Sequence, residues 1–330
     1  MSTESKRRSY WADQTGDLRA RLAAAVPAEE LKRLHRRRPL LHFLVLGWQF
    51  LLLFGGGAIA WRTSEWWIWL PASLVVGFTV FNFTVMLHEV VHELVFGATG
   101  RPGYRVLRHL YAFPSGISAT QFTRWHLDHH AQLGDAEADP KRHWLSPKRN
   151  ARWFKALYLT PALIPIYFRA ARRETASYPD EIRSAITRER RLTVAGHLAI
   201  LVVLIAAGGF FAAFKTYLVP VLLVFPVAFT VNRLGQHYDI APDNPALWGS
   251  VLRPSRFWDV AFLWSAYHLE HHYFPRVPFY NLRALHFVLR PFFEEIGARP
   301  TSYGRLLWQW FVHNRAPHTD WRKPAESVVQ

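Results

Sequence analysis

The chain is 330 residues long, half hydrophobic and 15% aromatic, yet its formal net charge is +16, so apolar and basic residues must be segregated into blocks, as in a membrane protein with a basic face. It contains no cysteine, which excludes a disulfide framework, a zinc–cysteine site and any cysteine-held iron–sulfur centre. No nucleic-acid-binding motif accompanies the positive charge, so a nucleic-acid partner is not expected.

Met1 to Arg8 is polar and charged with no apolar region following, so no cleavable signal peptide is expected and internal spans do the targeting. Residues 1–39 read as a basic cytoplasmic segment, with an amphipathic helix predicted from Ala28 through Arg38 after Pro27. Leu40 to Ala60 and Trp66 to Leu87 are charge-free runs of 21 and 22 residues, each long enough to cross about 30 Å of hydrocarbon. Only the stretch from Trp61 to Glu65 separates them, which makes a tight hairpin whose Trp61, Trp66, Trp67 and Trp69 belong at a membrane interface. A long polar region, Glu89 to Arg191, is interrupted by the apolar piece Ala156 to Phe168; with Pro161 and Pro165 inside it, that piece reads as interfacial or re-entrant. Thr193 to Phe214 and Thr216 to Asn232 form a second charge-free pair with Lys215 between them. The amphipathic stretches Leu282 to Ile296 and Tyr303 to His313 are expected to lie against the membrane surface.

The expected architecture is therefore all-α and polytopic: four transmembrane helices in two hairpins, spanning about 40–60, 66–87, 193–214 and 216–232, with a cytoplasmic helical cap. Residues 40–278 form the membrane domain and residues 279–330 an amphipathic cytoplasmic tail. Of the 40 Lys and Arg residues only Arg62 and Lys215 fall in the two short turns, which leaves 38 on the other side and places that side in the cytoplasm by the positive-inside rule. Both termini then share one aqueous side with every histidine motif described next.

Eight of the 17 histidines lie in three compact boxes: His88-Glu-Val-Val-His92, His126-Leu-Asp-His129-His130 and His268-Leu-Glu-His271-His272. Residues three and four apart share a helix face, so each box aims its imidazoles at one region. Ser118 and Thr120 are plausible caps and Gly134 a plausible stop for the helix carrying the second box. Neutral imidazole is the commonest metal ligand, and eight are too many for one ion, so two metals fit better. His237, just after the fourth span, is a further candidate ligand. The carboxylates Glu89, Glu93, Asp128 and Glu270, with Asp135 and Asp139, are candidates for fixing imidazole tautomers; the rival reading of each is an ordinary helix-surface acid. The remaining histidines (His35, His42, His109, His143, His197, His286, His313, His318) are isolated and read as packing residues, although His42 and His197, inside spans, need a polar partner there.

The three boxes, ordered around two membrane hairpins, resemble the integral-membrane fatty acid desaturase and hydroxylase superfamily. Phe122-Thr-Arg-Trp-His-Leu-Asp-His-His130 and Tyr267-His-Leu-Glu-His-His-Tyr-Phe-Pro275 are most similar to its sphingolipid (dihydroceramide) desaturases and carotenoid ketolases, and the resemblance runs roughly from Leu40 to Pro278. It implies a non-haem di-iron centre (two Fe ions) held almost wholly by histidine, and O2-dependent attack on an unactivated C–H bond of a lipid chain. It also implies electrons from a separate donor, a ferredoxin or a cytochrome b5 with its reductase. His237 matches the superfamily's extra ligand. An asparagine four residues before that histidine can hold a metal-bound water in related desaturases; Asn232 stands five before, a departure from the pattern. No haem, flavin or nicotinamide motif is present in the chain itself, and the basic face suits an acidic donor or, equally, anionic lipid. Desaturation, hydroxylation and ketolation all remain open on this scaffold, since the outcome depends on placement of the chain in an apolar tunnel.

Two rivals are weaker. His88-Glu-Val-Val-His92 also satisfies a zinc-protease pattern, but it begins where the second span ends, the spans hold no acidic residue, and the other boxes would be idle. A metal transporter would line a path across the bilayer with its ligands.

Overall fold

A computed structural model describes residues 9–96, 102–135, 137–141, 147, 149–238 and 240–315, and His143 and His318 lie outside them. The described residues are all-helical, with one isolated bridge between Leu252 and Thr301 and no strand. Three helices are long and apolar enough to cross a membrane: Pro39–Arg62, Trp66–Val91 and the run Asp180–His237. The first starts on Pro39, whose missing N–H and fixed φ suit a helix N-terminus. Its outer face leaves Leu51, Phe54 and Ile59 exposed, as lipid-facing residues should be.

Trp66–Val91 is the central helix, with most of its inner half buried. It continues past Leu87 to Val91, so the first histidine box occupies the helix's last turn. His92 caps it, its N–H reaching the His88 carbonyl, and Glu93 at φ 57 breaks the helix. Gly77 lets the returning helix approach closely, because a Cβ there would sit 2.4 Å from Val224.

The third apolar run is folded on itself. Gly209 has φ 77 and ψ 173 within the helix assigned to Asp180–Ala213, and the His197 imidazole bonds the Tyr217 hydroxyl. Twenty residues of straight helix would separate that pair by about 30 Å, so the chain reverses at Gly208-Gly209. This falls six residues before Lys215, the turn expected from sequence, because Gly209 adopts the positive φ that a side chain resists. Lys215 instead sits buried in the returning π-helix, Phe214–Val224, and its ammonium reaches the Thr63 carbonyl. Pro220 inside that segment has no N–H to give an α-helical ladder. Trp61 packs beside Gly208, so the two hairpin turns are neighbours.

His42 and His197 do have their polar partners: the Tyr111 hydroxyl at 2.9 Å for His42, and Tyr217 with the Phe113 carbonyl for His197.

The shorter helices pack against the end of the spans that carries His88. Residues 156–168 form no span; they belong to two short helices, Arg152–Leu157 and Leu163–Thr175, with Pro161 in the turn between them. The predicted helix from Ala28 to Arg38 is shorter, Ala28–Leu34. One hydrophobic core runs from Leu18, Leu22 and Leu34 at the N-terminal end, through Phe83, Met86 and Leu87, to Leu285, Leu306 and Trp310. The terminal segments are therefore built into the same core as the spans. At the far end the buried Lys155 ammonium donates to the carbonyls of Trp310 and Arg315, both at 2.7 Å, and to the Asn314 side chain. Arg152 holds the neighbouring carbonyls of Phe311 and Val312.

Candidate metal centre

The Ala119–Gln132 helix carries the second box and is bracketed as the sequence suggests: the Ser118 hydroxyl accepts the Gln121 N–H, and Gly134 follows the last turn. Glu189, on the third apolar run, fastens this helix by accepting from the Ser118 and Thr120 hydroxyls and the Thr120 N–H. The third box forms its own short helix, His268–Tyr273, in which all six residues are buried.

All nine predicted imidazoles come together, and they divide into two groups. His88, His92, His126, His130 and His271 form one; His129, His237, His268 and His272 form the other, and within each group one ligand nitrogen per residue lies within 4.8 Å of all the rest. The boxes are therefore split. His129 and His130 are sequence neighbours, about 100° apart around the helix, and they point into different groups. The third box sends His271 one way and His268 with His272 the other. His130 and His272 stack at 4.2 Å, so the groups share a wall.

Metal fits both groups on two grounds. In the first, the Nε2 atoms of His92 and His126 are 2.7 Å apart, and that of His271 lies 3.0 Å from both His88 and His130. In the second, His237 Nε2 lies 3.1 Å from His129 and 2.9 Å from His268, with His272 to His268 at 3.0 Å. Two nitrogens each about 2.1 Å from one metal and at right angles to each other sit about 3.0 Å apart. Burial, reinforced by neighbouring histidines and Lys141, holds His126, His130, His268, His271 and His272 well below the ordinary imidazole range and takes His92 down to about 3. They stay neutral at ordinary pH, the form that binds metal.

The surroundings fix ring orientation unevenly. His129 Nδ1–H donates to Asp139 at 2.8 Å, both side chains fully buried, and His237 Nδ1–H donates to the Trp248 carbonyl at 2.7 Å. Each leaves Nε2 as the free donor atom. Glu89 is nearer a backbone role, accepting the Phe279 N–H at 3.0 Å with its other oxygen 3.6 Å from His88 Nδ1. Glu270 accepts from His286 at 2.5 Å rather than from a box histidine, so His286 is not an isolated packing residue. Asp128 accepts from Tyr178 at 3.1 Å, and Asp135 caps the loop amides of Glu137 and Ala138. Asn232 donates to Ser265 and accepts from Gln236, both at 2.8 Å.

Two participants escaped the sequence reading. The Trp248 carbonyl belongs to the backbone and has no sequence signature. Lys141 Nζ lies 2.9 Å from His126 Nδ1, and burial, then Arg233, lowers its amine to about 7. With His126 Nε2 turned to its group, Nδ1 is the ring nitrogen that faces the Lys141 amine. The Pro140-Lys141 sequence offered no sign of this.

A cavity of ≈510 Å³ opens from the first group, within the range of ordinary ligand pockets. His88, His126, His268 and His271 line one end; Phe81, Val85, Leu201, Val221, Leu222 and Phe225 carry it between the apolar helices. Val194 and Leu198 line it and are 50% and 57% exposed, which gives it a sideways mouth on the span surface.

Residues 64–304 match the sequence profile of the fatty acid desaturase family. The chain is also similar to the protein named sphingolipid delta(4)-desaturase/C4-monooxygenase DES2. The Homo sapiens form is 26% identical over 312 residues, covering 88% of this chain and 86% of the relative. The Bos taurus form matches equally, and the Rattus norvegicus form is 24% identical over 309 residues with the same coverage.

Proposed function

The chain belongs to the fatty acid desaturase family and is an oxidoreductase acting on lipids, and we propose that it desaturates a long alkyl chain with O2, holding two iron ions on its nine clustered imidazoles. The observation that carries this reading is the division of those imidazoles into groups of five and four beside an apolar cavity. Five imidazoles exceed the four ligands zinc ordinarily takes, which favours iron over a zinc protease centre. Bound there, iron with O2 would supply the hydrogen-atom removal that no acid or base performs on an alkyl carbon.

The chain's own residues set up that chemistry. Asp139 and the Trp248 carbonyl hold His129 and His237 with Nε2 inward. The apolar cavity holds the alkyl chain beside His88 and His271 and keeps water out. Desaturation takes two hydrogens from neighbouring carbons and, with two electrons delivered singly by a donor and two protons from solvent, converts O2 to two waters. The donor is a separate ferredoxin or a cytochrome b5 with its reductase, docking on the basic face.

Four membrane crossings are part of the same proposal, with the termini and histidines in the cytoplasm. The reversal at Gly209 and the neighbouring hairpin turns support it, as does the scarcity of basic residues in those turns. On this reading residues 40–278 are the membrane domain, and Asn232, tied to Gln236 and Ser265 at the cavity wall, acts through neighbours. A second reading, hydroxylation on the same site, is favoured by the relatives' joint name as desaturase and monooxygenase. The test is metal analysis of the purified protein, then expression with a compatible donor and mass spectrometry of total lipid. About two irons per chain and a lipid two hydrogens lighter are expected; one zinc with no iron would sink the proposal.

A further inference from the structure

Arg233 is the cavity's unexplained charge. It lies one turn before His237 on the same helix, Phe225–His237, lines the cavity with Asn232, Gln236 and Lys141, and stacks its guanidinium 5.7 Å from the centre of the Phe229 ring. Among the described residues it makes no hydrogen bond and no ion pair. Asp139 acts on it electrostatically but is not within ion-pair reach, and Asp139 Oδ1 accepts from His129 and from the Lys141 N–H. Tyr158 and Tyr167 are near enough to feel its charge, and neither is an anion, because burial pushes each hydroxyl up to about 12. A guanidinium cannot shed its proton, and a charge left unpaired in an apolar cavity is costly. Among the described residues the rest of the lining has no carboxylate to offer except Glu89, whose Oε2 is already on the Phe279 amide.

Resting on the cavity being the lipid site, we infer that Arg233 is the anchor for an anionic head, a carboxylate or phosphate, on the lipid this cavity takes. The fork of the guanidinium matches either oxyanion. The tail runs the other way, past Phe225, Val221 and Leu222, towards the mouth at Val194 and Leu198. Arg233 is also close enough to Lys141 to disfavour its charge, and Lys141 touches His126.

The test is equilibrium binding of palmitate, cetyl phosphate and cetyl alcohol to the full-length, iron-loaded protein in detergent, which reads no turnover. Palmitate or cetyl phosphate is expected to bind at least about tenfold more tightly than the alcohol, the size of one charge-assisted hydrogen bond. The tighter of the two acids identifies the head as carboxylate or phosphate. Arg233→Gln should abolish the preference without changing alcohol binding, and Arg233→Lys should keep much of it. Equal binding of all three by the wild type overturns the inference, with or without a folded variant. So does an undiminished preference in folded Arg233→Gln. Zinc in place of iron with the preference intact would sink the desaturase proposal and leave this one standing.

Discussion

The two histidine groups are built differently. In the group of four, every side chain is buried, Asp139 and the Trp248 carbonyl fix two of the rings, and Trp11 packs 6.4 Å from His272 with Trp248 beside it. In the group of five, His88, His92 and His130 are only half-buried, three of its rings line the cavity, and His271 Nδ1 has no hydrogen-bond partner among the described residues. On the proposed reading, the enclosed group would retain its ion and the open group would meet the substrate. A site that must meet a substrate cannot also be fully enclosed, and the enclosed neighbour supplies the rigidity.

The largest effect that would test this contrast comes from the ligands. His237→Ala and His126→Ala should each reduce turnover to background and metal from about two ions per chain to about one, with the remaining ion in the other group. Loss of both ions in both variants would show that the groups are one site. Next, Asp139→Asn should weaken metal in the buried group by roughly 10–100-fold, the usual cost of removing such a partner, while competition with a chelator finds the other group unchanged. Acid separates the groups less sharply. In the metal-free protein His92 is held to about 3 and its neighbours well below 6.5, whereas unfolded chains take up protons near 6.5. Their contribution to stability is complete above pH 6.5 and falls as pH drops towards 3, since only the unfolded state binds the protons. Melting temperature against pH should show that decline, and adding metal should flatten it until the half-buried group lets go. The smallest effect belongs to Trp11→Ala, which should speed metal loss from the buried group severalfold in a chelator assay and leave the other group's rate alone.

Helical spacing puts i, i+3 and i+4 on one face, which is why the sequence singles out eight of the nine imidazoles that the structure gathers. The sequence does not show how they divide into two groups. Whether His129 or His130 faces a given group is decided by where the helix packs, and Glu189 fixes that from a distant span. Charge-free runs mark the three helices apolar enough to cross a membrane, but charge alone puts the second reversal at Lys215, whereas backbone conformation at Gly209 places it earlier. Glu270 and His286 were read as a tautomer-fixing acid and an isolated histidine; only tertiary packing brings them together. Residues 1–39 read from sequence as a basic cytoplasmic segment, whereas in the structure Leu18 and Leu22, one turn apart, join the core.

The Lys155 clasp bears on the order in which the molecule is made. Its ammonium joins backbone carbonyls 155 and 160 residues further along the chain, so that cation has no carbonyl cage until residues 310–315 have been made. The spans and the histidine helices all precede those residues in the chain, and the stretch 310–315 closes onto Lys155 only after them. Without those carbonyls the same ammonium would be a buried charge short of its acceptors, which is costly in a packed core.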